Sequence, residues 1–359
     1  KGLKLLNDLI KIKTIDGNKV EQKKALQVIS QYLGTDFSCK FFSHKDYVSV
    51  IYLPKSYKEI DILLSAHIDV VPASESLFSL KKSGDKLLGR GVFDMKGPLA
   101  ALVEALDIFY QTNHPTNVGL LVTSDEEKGG FSGTNYFLKK FNFKPKVVII
   151  PDGGNNFEIV IEEKGVLNIE LIASGLNAHT ARPWEGINAT NNLITAVNKI
   201  TNLFPIGTKD TWQTTASVVA FQSENEANNV VPAFAKAKIN IRYIKKDSPE
   251  YILQLIKKVS KNIKITSNLS GSAIAISSEA KPLKIFRSII KNHTGKLPAL
   301  VKYPSTCDAR FFADRSMLTI ITRPPGGGAH QDIEWISLDG LGKFSAIIVD
   351  FLKYAKQIY

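Results

Sequence analysis

The sequence predicts an α/β protein into which a smaller α+β domain is inserted. Short apolar runs with the length of buried strands alternate with segments of helical periodicity through the first 165 residues. From Gly165 the pattern changes to strand, helix, strand, strand, helix, strand, and near residue 276 the first pattern resumes. Alternating strands and helices are typical of a layered α/β structure, and the βαββαβ order is typical of a ferredoxin-like fold. We therefore expect a discontinuous domain of residues 1–165 and 276–359 and an inserted domain of residues 166–275.

Each element follows from a local pattern. Apolar residues at helical spacing predict two amphipathic helices near residues 3–10 and 25–33, and Pro98 opens a third helix, in a first turn where its missing N–H is harmless. Branched apolar runs predict buried strands at residues 48–53, 61–66, 118–124 and 146–151. The insert is predicted as strand 166–174, helix 188–204, strands 214–222 and 231–244, helix 248–262 and strand 263–269. Helix 281–295, strand 317–322 and helix 337–358 complete the first domain.

Composition restricts the class of protein. A hydrophobic content of 44% with 22% charged residues is that of a globular enzyme, and no run reaches the roughly 18 apolar residues of a membrane helix. The first residues lack the apolar core of a signal peptide, so we expect a cytoplasmic protein that does not associate with membranes. Cys39 and Cys307 are too few for a disulfide framework and are expected to be buried thiols.

The net charge of +12 raises the question of a nucleic-acid partner. Residues 166–275 have a net charge of +5 and the rest +7, so neither part is a dedicated basic domain. A stacking platform for single strands would require aromatic residues among the lysines, and few are found there. We expect no nucleic-acid partner. Attraction of anionic substrates is enough to explain the surplus of positive charge.

His67 and Asp69 follow a predicted buried strand. Because side chains alternate along a strand, the two project to the same face, which suits a metal ligand and a carboxylate that orients it. On its own the pair is a weak signal, and a surface histidine in a turn is the better explanation.

Acidic residues follow the next elements. Asp94 lies between a glycine-rich turn and a helix start, Glu126 and Glu127 follow one strand, and Asp152 ends another. Open α/β sheets place their sites at such strand ends, where adjacent acids can act as general base and metal ligand. The alternatives are an Asp favoured by the helix dipole and a solvated acidic turn.

Two histidines complete the candidates. His330 follows a glycine-rich loop that ends at Gly328-Ala329, and its glycines let backbone amides approach a ligand closely. His179 follows a strand of the insert. The histidines in polar turns, expected at the surface, are His44, His114 and His293.

At these residues the chain resembles the dinuclear zinc amidohydrolase and exopeptidase family that includes acetylornithine deacetylase, succinyl-diaminopimelate desuccinylase and carboxypeptidase G. The motifs that carry the resemblance span nearly the whole chain and are SAHIDVVP, GRGVFDMKGPLAA, TSDEEKGG, IIPDGG, AHTARPWEGINA, NNVVPAFAKAKINIRY, CDARFF and GGGAHQDIEWISL. The resemblance implies a zinc-exopeptidase-like catalytic domain with a central mixed sheet flanked by helices, and a ferredoxin-like insert that serves as lid and dimerisation domain.

The resemblance also implies roles. His67 and Asp152 would bind one zinc, Glu127 and His330 the second, and Asp94 would bridge them, with Co²⁺ as a possible substitute. Glu126 would be the general base, and Asp69 would orient His67. The residues implied to contact substrate are His179, Asn229, Arg242 and Gly328, with His179 acting in its own chain or across a homodimer.

The expected reaction is hydrolysis of the amide bond of an N-acyl amino acid, as in acetylornithine deacetylase. Asp152 is Glu in the desuccinylase and glutamate-carboxypeptidase branches of the family, which argues modestly against a desuccinylase. Asn240 replaces an Asp of many members, so the lid contacts are the least secure. The alternatives are a di-, amino- or carboxypeptidase of the same family and, more remotely, a zinc-binding scaffold without turnover.

Overall fold

The computed structural model describes residues 1–55, 59–112, 116–223 and 227–354. The chain divides into two compact units. Unit 1 comprises Lys1–Ile161, Ile276–Tyr303 and the chain from Cys307 on, and unit 2 comprises Glu162–Ala275 and Pro304–Thr306. The insert expected at residues 166–275 lies within unit 2.

The helices are α1 (Gly2–Ile10), α2 (Lys19–Leu33), α3 (Lys96–Tyr110), α4 (Thr134–Phe141), α5 (Ala189–Leu203), α6 (Pro249–Val259), α7 (Lys281–Thr294), α8 (Ala309–Ala313) and α9 (Leu338–Tyr354). The predicted last helix runs beyond α9, and its final residues, 355–358, lie outside the described part of the chain.

The strands are β1 (Phe37–His44), β2 (Tyr47–Pro54), β3 (Ile62–His67), β4 (Lys81–Ser83), β5 (Lys86–Leu88), β6 (Val118–Thr123), β7 (Val147–Ile150), β8 (Ile159–Glu163), β9 (Gly165–Ser174), β10 (Thr215–Ser223), β11 (Phe234–Tyr243), β12 (Ile263–Gly271), β13 (Ile274–Ala275), β14 (Leu300–Tyr303), β15 (Leu318–Ile321), β16 (Gly326–Gly327) and β17 (Trp335–Ser337).

A large mixed sheet forms the centre of unit 1. Its strands lie in the order β1, β2, β6, β3, β7, β15, β8, and β14 pairs with β8. The neighbours β6, β3, β7 and β15 run parallel, whereas β1, β2 and β8 pair antiparallel with theirs. The prediction of a central mixed sheet flanked by helices is confirmed.

The central strands are buried along their whole length. Every residue of β3, β6 and β7 is buried, which is the reason they appear in the sequence as continuous apolar runs rather than alternating ones. The parallel register pairs His67 with Thr123 and Leu64 with Ile149, so the three strands end at one edge of the sheet. We call this edge the carboxyl edge. Open α/β sheets place their ligands there.

Helix α3 packs against α1 and α9 on the large sheet. The side chain of Lys96, in its first turn, is fully buried, and its Nζ donates to the carbonyl oxygens of Leu9 at 3.1 Å and Ile12 at 2.8 Å. Each of these carbonyl oxygens also accepts one backbone N–H, from Ile12 and Thr14 respectively, so the ammonium is a second donor to the carbonyl groups at and just beyond the end of α1. Burial lowers the pKa of Lys96 to about 7.

A small sheet that the sequence analysis did not predict lies in the same unit. Its strands are in the order β16, β17, β5, β4, and Trp335 of β17 pairs with Leu88 of β5. This pairing brings the chain just before Asp94 beside the chain just after His330.

Unit 2 contains an antiparallel sheet in the order β10, β11, β9, β12, which is the strand order of a ferredoxin-like fold. Strand β11 alternates between buried and less buried residues, as expected of a sheet that packs helices on one face. Asn188 and Ser248 are the N-caps of α5 and α6. Each side chain accepts a hydrogen bond from the third amide of its helix. The predicted βαββαβ order is confirmed.

Two simpler findings concern composition. Cys307 is buried as expected, but Cys39 is exposed, so the expectation of two buried thiols is wrong. Cys39 lies on β1, an edge strand most of whose side chains face solvent.

Among the described helices, none combines the length and the apolar character needed to cross a membrane.

A pair of glycine substitutions tests the packing of α3. A Cβ atom at Gly97 would lie 2.1 Å from the carbonyl oxygen of Val92, whereas one at Gly342 in α9 would meet nothing within 4 Å. We expect Gly97→Ala to lower the free energy of unfolding by about 1–3 kcal/mol through overpacking. The control Gly342→Ala should raise it by up to about 1 kcal/mol, since alanine is the better helix former. Urea denaturation measures both, and equal stability of the two variants would contradict the packing.

Candidate metal centre

The acidic and histidine candidates of unit 1 meet at the carboxyl edge of the large sheet. His67 is the last residue of β3, Asp152 follows β7 by two residues, and Glu126 and Glu127 lie in a short 3₁₀ turn after β6. Asp94 comes from the loop before α3, where the Asp94–Met95 peptide bond is cis. The common position of His67, the two glutamates and Asp152 follows from the parallel register of β3, β6 and β7.

One group of metal-ligand types contains His67, Glu126 and Asp152, with one ligand atom of each lying within 4.8 Å of the others. His67 is 2% exposed, and its Nε2 atom lies 4.0 Å from Oδ2 of Asp152. A second group contains Asp94, Glu127 and His330 within the same limit. In it, Nε2 of His330 lies 3.0 Å from Oε1 of Glu127.

Asp94 lies between the two groups. Its Oδ1 atom is 3.3 Å from Nε2 of His67, and its Oδ2 atom is 3.5 Å from Nε2 of His330. One carboxylate therefore presents one oxygen to each histidine, which is the arrangement that a bridging ligand requires.

Asp69 contacts both His67 and the acidic turn. Nδ1 of His67 lies 3.0 Å from the carbonyl oxygen of Asp69 and 3.4 Å from its Oδ1 atom. Oδ2 of Asp69 accepts a hydrogen bond from the backbone N–H of Glu127 at 2.9 Å. The same residue thus directs Nε2 of His67 toward Asp94 and fixes the turn that carries Glu126 and Glu127.

Burial and the crowding of acids both shift the pKa values of these groups. Hydrogen bonds with Asp94 and Glu127 raise the pKa of His330 to about 10. Burial opposes the charge of His67, but Asp69 and Asp94 outweigh it and raise its pKa well above the usual range. Burial likewise disfavours the charge of Asp94, and hydrogen bonds with His330 and His67 overcome it and hold its pKa well below the usual range. Burial and the neighbouring Asp152 raise the pKa of Glu126.

The donor set fits divalent metal ions. Imidazole nitrogens and carboxylate oxygens, with no thiolate among them, are ligands that suit zinc, and also cobalt in related sites. Positive charge between the groups would offset the repulsion that raises the pKa of Glu126. Two groups that share Asp94 as a neighbour fit two ions rather than one.

Glu334, which the sequence analysis missed, binds the loop that carries Asp94. Its carboxylate is 1% exposed and accepts four hydrogen bonds. Oε2 accepts from Nη1 of Arg90 at 2.7 Å and from the N–H of Gly91 at 2.9 Å, and Oε1 accepts from the N–H groups of Phe93 at 2.9 Å and Asp94 at 3.1 Å. Removing one partner of such a buried ion pair typically costs about 3–5 kcal/mol.

Arg323 is a second buried charge that sequence reasoning missed. Its Nε donates to the carbonyl oxygen of Gly154 at 2.9 Å and its Nη2 to Oη of Tyr303 at 3.0 Å. Its guanidinium lies 3.9 Å from the ring centre of Phe93, and its Nη1 lies 3.9 Å from Oδ1 of Asp152. An arginine just before a Pro-Pro-Gly loop was the only local signal for it.

The loop before His330 has a tight backbone. Gly328 has φ +75°, and a Cβ atom there would lie 1.9 Å from the carbonyl oxygen of Ile333. His330 itself has φ 64°. Gly326 and Gly327 form β16, and the N–H of Gly326 donates to Oδ1 of Asn155 at 3.1 Å. Glycine is therefore needed here for close backbone packing, a reason that does not depend on a ligand.

The remaining candidates lie in unit 2. The N–H of Thr180 donates to the carbonyl oxygen of Asn229 at 2.9 Å, so His179 and Asn229 lie on adjacent segments. Nδ1 of His179 accepts from the N–H of Ala181 at 3.0 Å. Arg242 lies in β11, where its Nε donates to Oδ1 of Asn240 at 3.1 Å.

The histidines expected at the surface are partly buried where the structure describes them. His44 stacks on Tyr136 with ring centres 4.3 Å apart, and Nε2 of His293 lies 2.8 Å from Oδ2 of Asp350. His114 lies outside the described residues.

Comparison with known proteins identifies the family. The model of peptidase family M20/M25/M40 matches residues 63–354. A succinyl-diaminopimelate desuccinylase of Pelagibacter ubique is 30% identical over 346 residues, covering 88% of this chain and 89% of that protein. A protein of the same name from Orientia tsutsugamushi is 27% identical over 336 residues, covering 88% and 86%.

Solved structures share the fold at low identity. An M20 metallo-carboxypeptidase of Sulfolobus solfataricus has a TM-score of 0.79 at 20% identity, and each chain is covered to 99%. A tripeptidase of Staphylococcus aureus has a TM-score of 0.81 at 18% identity, with 99% and 98% covered. A Bacillus subtilis protein described as a dinuclear metal binding peptidase from the M20 family has a TM-score of 0.69 at 12% identity, with 100% and 99% covered.

The family model matches most of the chain, and the relative at 30% identity covers 88% of it. The protein belongs to peptidase family M20/M25/M40 and is a hydrolase of the metallopeptidase and amidohydrolase type.

Proposed function

We propose that this hydrolase cleaves the amide bond of an N-acyl amino acid, with Glu126 as general base. The observation that supports the chemistry best is the pair of histidine–carboxylate groups that meet at Asp94. The names of the curated relatives, which describe removal of an acyl group from an amino acid, support the substrate class.

In this proposal His67 and Asp152 would hold one zinc ion, Glu127 and His330 would hold the other, and Asp94 would be a ligand of both. Cobalt would bind to the same ligands. When bound, the two ions polarise the scissile carbonyl and lower the pKa of water at the site.

Glu126 accepts the proton of the attacking water and delivers it to the leaving nitrogen. It lies with His67 and Asp152 in the first group, where burial and the neighbouring Asp152 raise its pKa. A carboxylate in this position can act as a general base. Asp69 keeps Nδ1 of His67 engaged, so that Nε2 remains directed at the site.

Substrate contacts are assigned to unit 2 and to the glycine loop. Arg242 would bind a carboxylate of the substrate, His179 would meet the scissile carbonyl oxygen, and Asn229 and the amide of Gly328 would bind the remaining polar groups. A homodimer formed through unit 2 would determine whether His179 serves its own chain or its partner.

A peptidase that cleaves short peptides with a free α-amine is the second candidate. Asp152 is compatible with this candidate and with the deacetylase alike, because the resemblance associates Asp at that position with several di- and tripeptidases and with acetylornithine deacetylases. The two candidates use the same metal groups and the same base, and they differ in what the substrate nitrogen carries.

Metal removal tests the site. Dialysis against a chelator should abolish hydrolysis and lower Tm, and Zn²⁺ or Co²⁺ should restore both, since a ligand at 100 times its Kd adds about 2.7 kcal/mol of stability. Elemental analysis should find two ions per wild-type chain and about one in His330→Ala. Full occupancy in His330→Ala would contradict the assignment of the second group.

Substitution of the base gives a second test. Glu126→Gln should lower kcat by about 100- to 10,000-fold, the usual contribution of a general base, while both metal ions remain bound. Exposed Glu185→Gln in unit 2 is the matched control and should leave kcat unchanged. A near-normal rate in metal-loaded Glu126→Gln would exclude the proposed role.

A hydrolysis screen decides the substrate class. We expect metal-loaded protein to cleave N-acetyl or N-succinyl amino acids with a higher kcat/KM than dipeptides. N-succinyl substrates are included because of the relatives' names, although Asp152 argues against that branch. Preferential cleavage of dipeptides, with N-acyl amino acids inert, would replace the deacylase proposal by the peptidase.

A further inference from the structure

The carboxylate of Glu334 is engaged entirely with the loop that precedes Asp94. Each of its two oxygens accepts two hydrogen bonds, one pair from Arg90 and Gly91 and the other from the N–H groups of Phe93 and Asp94. The backbone of Glu334 directly precedes β17, and its carbonyl oxygen accepts a hydrogen bond from the N–H of Gly89 at 3.3 Å. The loop from Gly89 to Asp94 is thus fixed along its whole length by one residue.

Only a carboxylate satisfies this arrangement. Four donors converge on the side chain, and an ionised carboxylate has acceptor sites for all four and no hydrogen to present. A glutamine of the same size would accept at one end and direct its NH₂ group at two donors at the other. The four contacts therefore specify Glu334 by charge as well as by shape.

These contacts act on Asp94, whose two oxygens face the two histidines. Oε1 of Glu334 accepts from the N–H groups of Phe93 and Asp94, the two amides that flank the α-carbon of Phe93, so it sets the position of the Asp94 backbone and hence the direction of its side chain. We infer that Glu334 is a positioning residue for the bridging carboxylate, and that it sets the affinity of the site for both metal ions. This inference rests on the metal roles assigned under the proposed function.

The segment that begins at His330 then serves both metals. His330 supplies a proposed ligand of one ion, and Glu334, four residues on, fixes the ligand that the two ions share. A purely structural ion pair would stabilise the fold without affecting one site more than the rest of unit 1. Metal affinity at matched stability separates the two roles.

The test compares three variants of the full chain. Glu334→Gln removes the charge, and Glu334→Asp keeps the charge but shortens its reach. Phe286→Leu is the control, because Phe286 is buried and packs edge-on against Phe351 between α7 and α9, and no candidate ligand lies on either helix. Zn²⁺ affinity is measured by chelator competition, the Co²⁺ site by its visible absorption spectrum, and stability by Tm.

We expect Glu334→Gln to bind both ions about 10- to 100-fold more weakly than wild type, the usual effect of removing a group that orients a ligand, with an altered Co²⁺ spectrum. Glu334→Asp should lie between the two, and it decides the question if the glutamine variant does not fold. Phe286→Leu should lower Tm and retain wild-type affinity.

Wild-type affinity in the folded Glu334 variants would overturn the inference and leave the proposed function intact. An equal loss of affinity in Phe286→Leu would also overturn it, because affinity would then follow stability alone. A wild-type chain that binds no divalent metal would overturn the proposed function and this inference with it.

Discussion

Repulsion among carboxylates at the carboxyl edge is the constraint on which the rest of unit 1 depends. The residues that converge there are Asp69, Asp94, Glu126, Glu127 and Asp152. Within a low-dielectric surrounding such groups cannot all be ionised unless positive charge or hydrogen-bond donors accompany them. His67, His330 and Arg323 supply charge beside them, and the backbone N–H of Glu127 donates to Asp69. Burial, together with the neighbouring Asp152, raises the pKa of Glu126.

Rigid elements fix the positions of these side chains. Three of the ligand segments begin where buried parallel strands end, so the register of β3, β6 and β7 sets their spacing. Asp94 and His330 come from loops instead, and the small sheet β16, β17, β5, β4 places these loops side by side. In the loop that carries Asp94, four hydrogen bonds accepted by the buried carboxylate of Glu334 hold the backbone in place.

The sequence predicts the elements whose signal is local. Continuous apolar runs predict β2, β3, β6 and β7, and the change of pattern at Gly165 predicts the ferredoxin-like insert. The small sheet escapes prediction because a strand such as β4 is three exposed residues with no apolar pattern. Glu334 and Arg90 escape it because a charge buried by a partner 244 residues away has no sign in its own neighbourhood. The exposure of Cys39 follows from its position on an edge strand, which residue type alone does not reveal.

The positions of the ligands along the chain have a consequence for biosynthesis. His67, Glu126 and Asp152 all precede unit 2, so the first group is complete in sequence once residue 152 has left the ribosome. The second group lacks His330, and the loop before Asp94 lacks Glu334, until the whole of Glu162–Ala275 has been made. Domains generally fold as units while the chain emerges, so unit 2 can fold while unit 1 still lacks β15 and α9. Throughout the synthesis of unit 2 the nascent chain therefore carries all five carboxylates of the site, while His330 and Glu334 have still to be made.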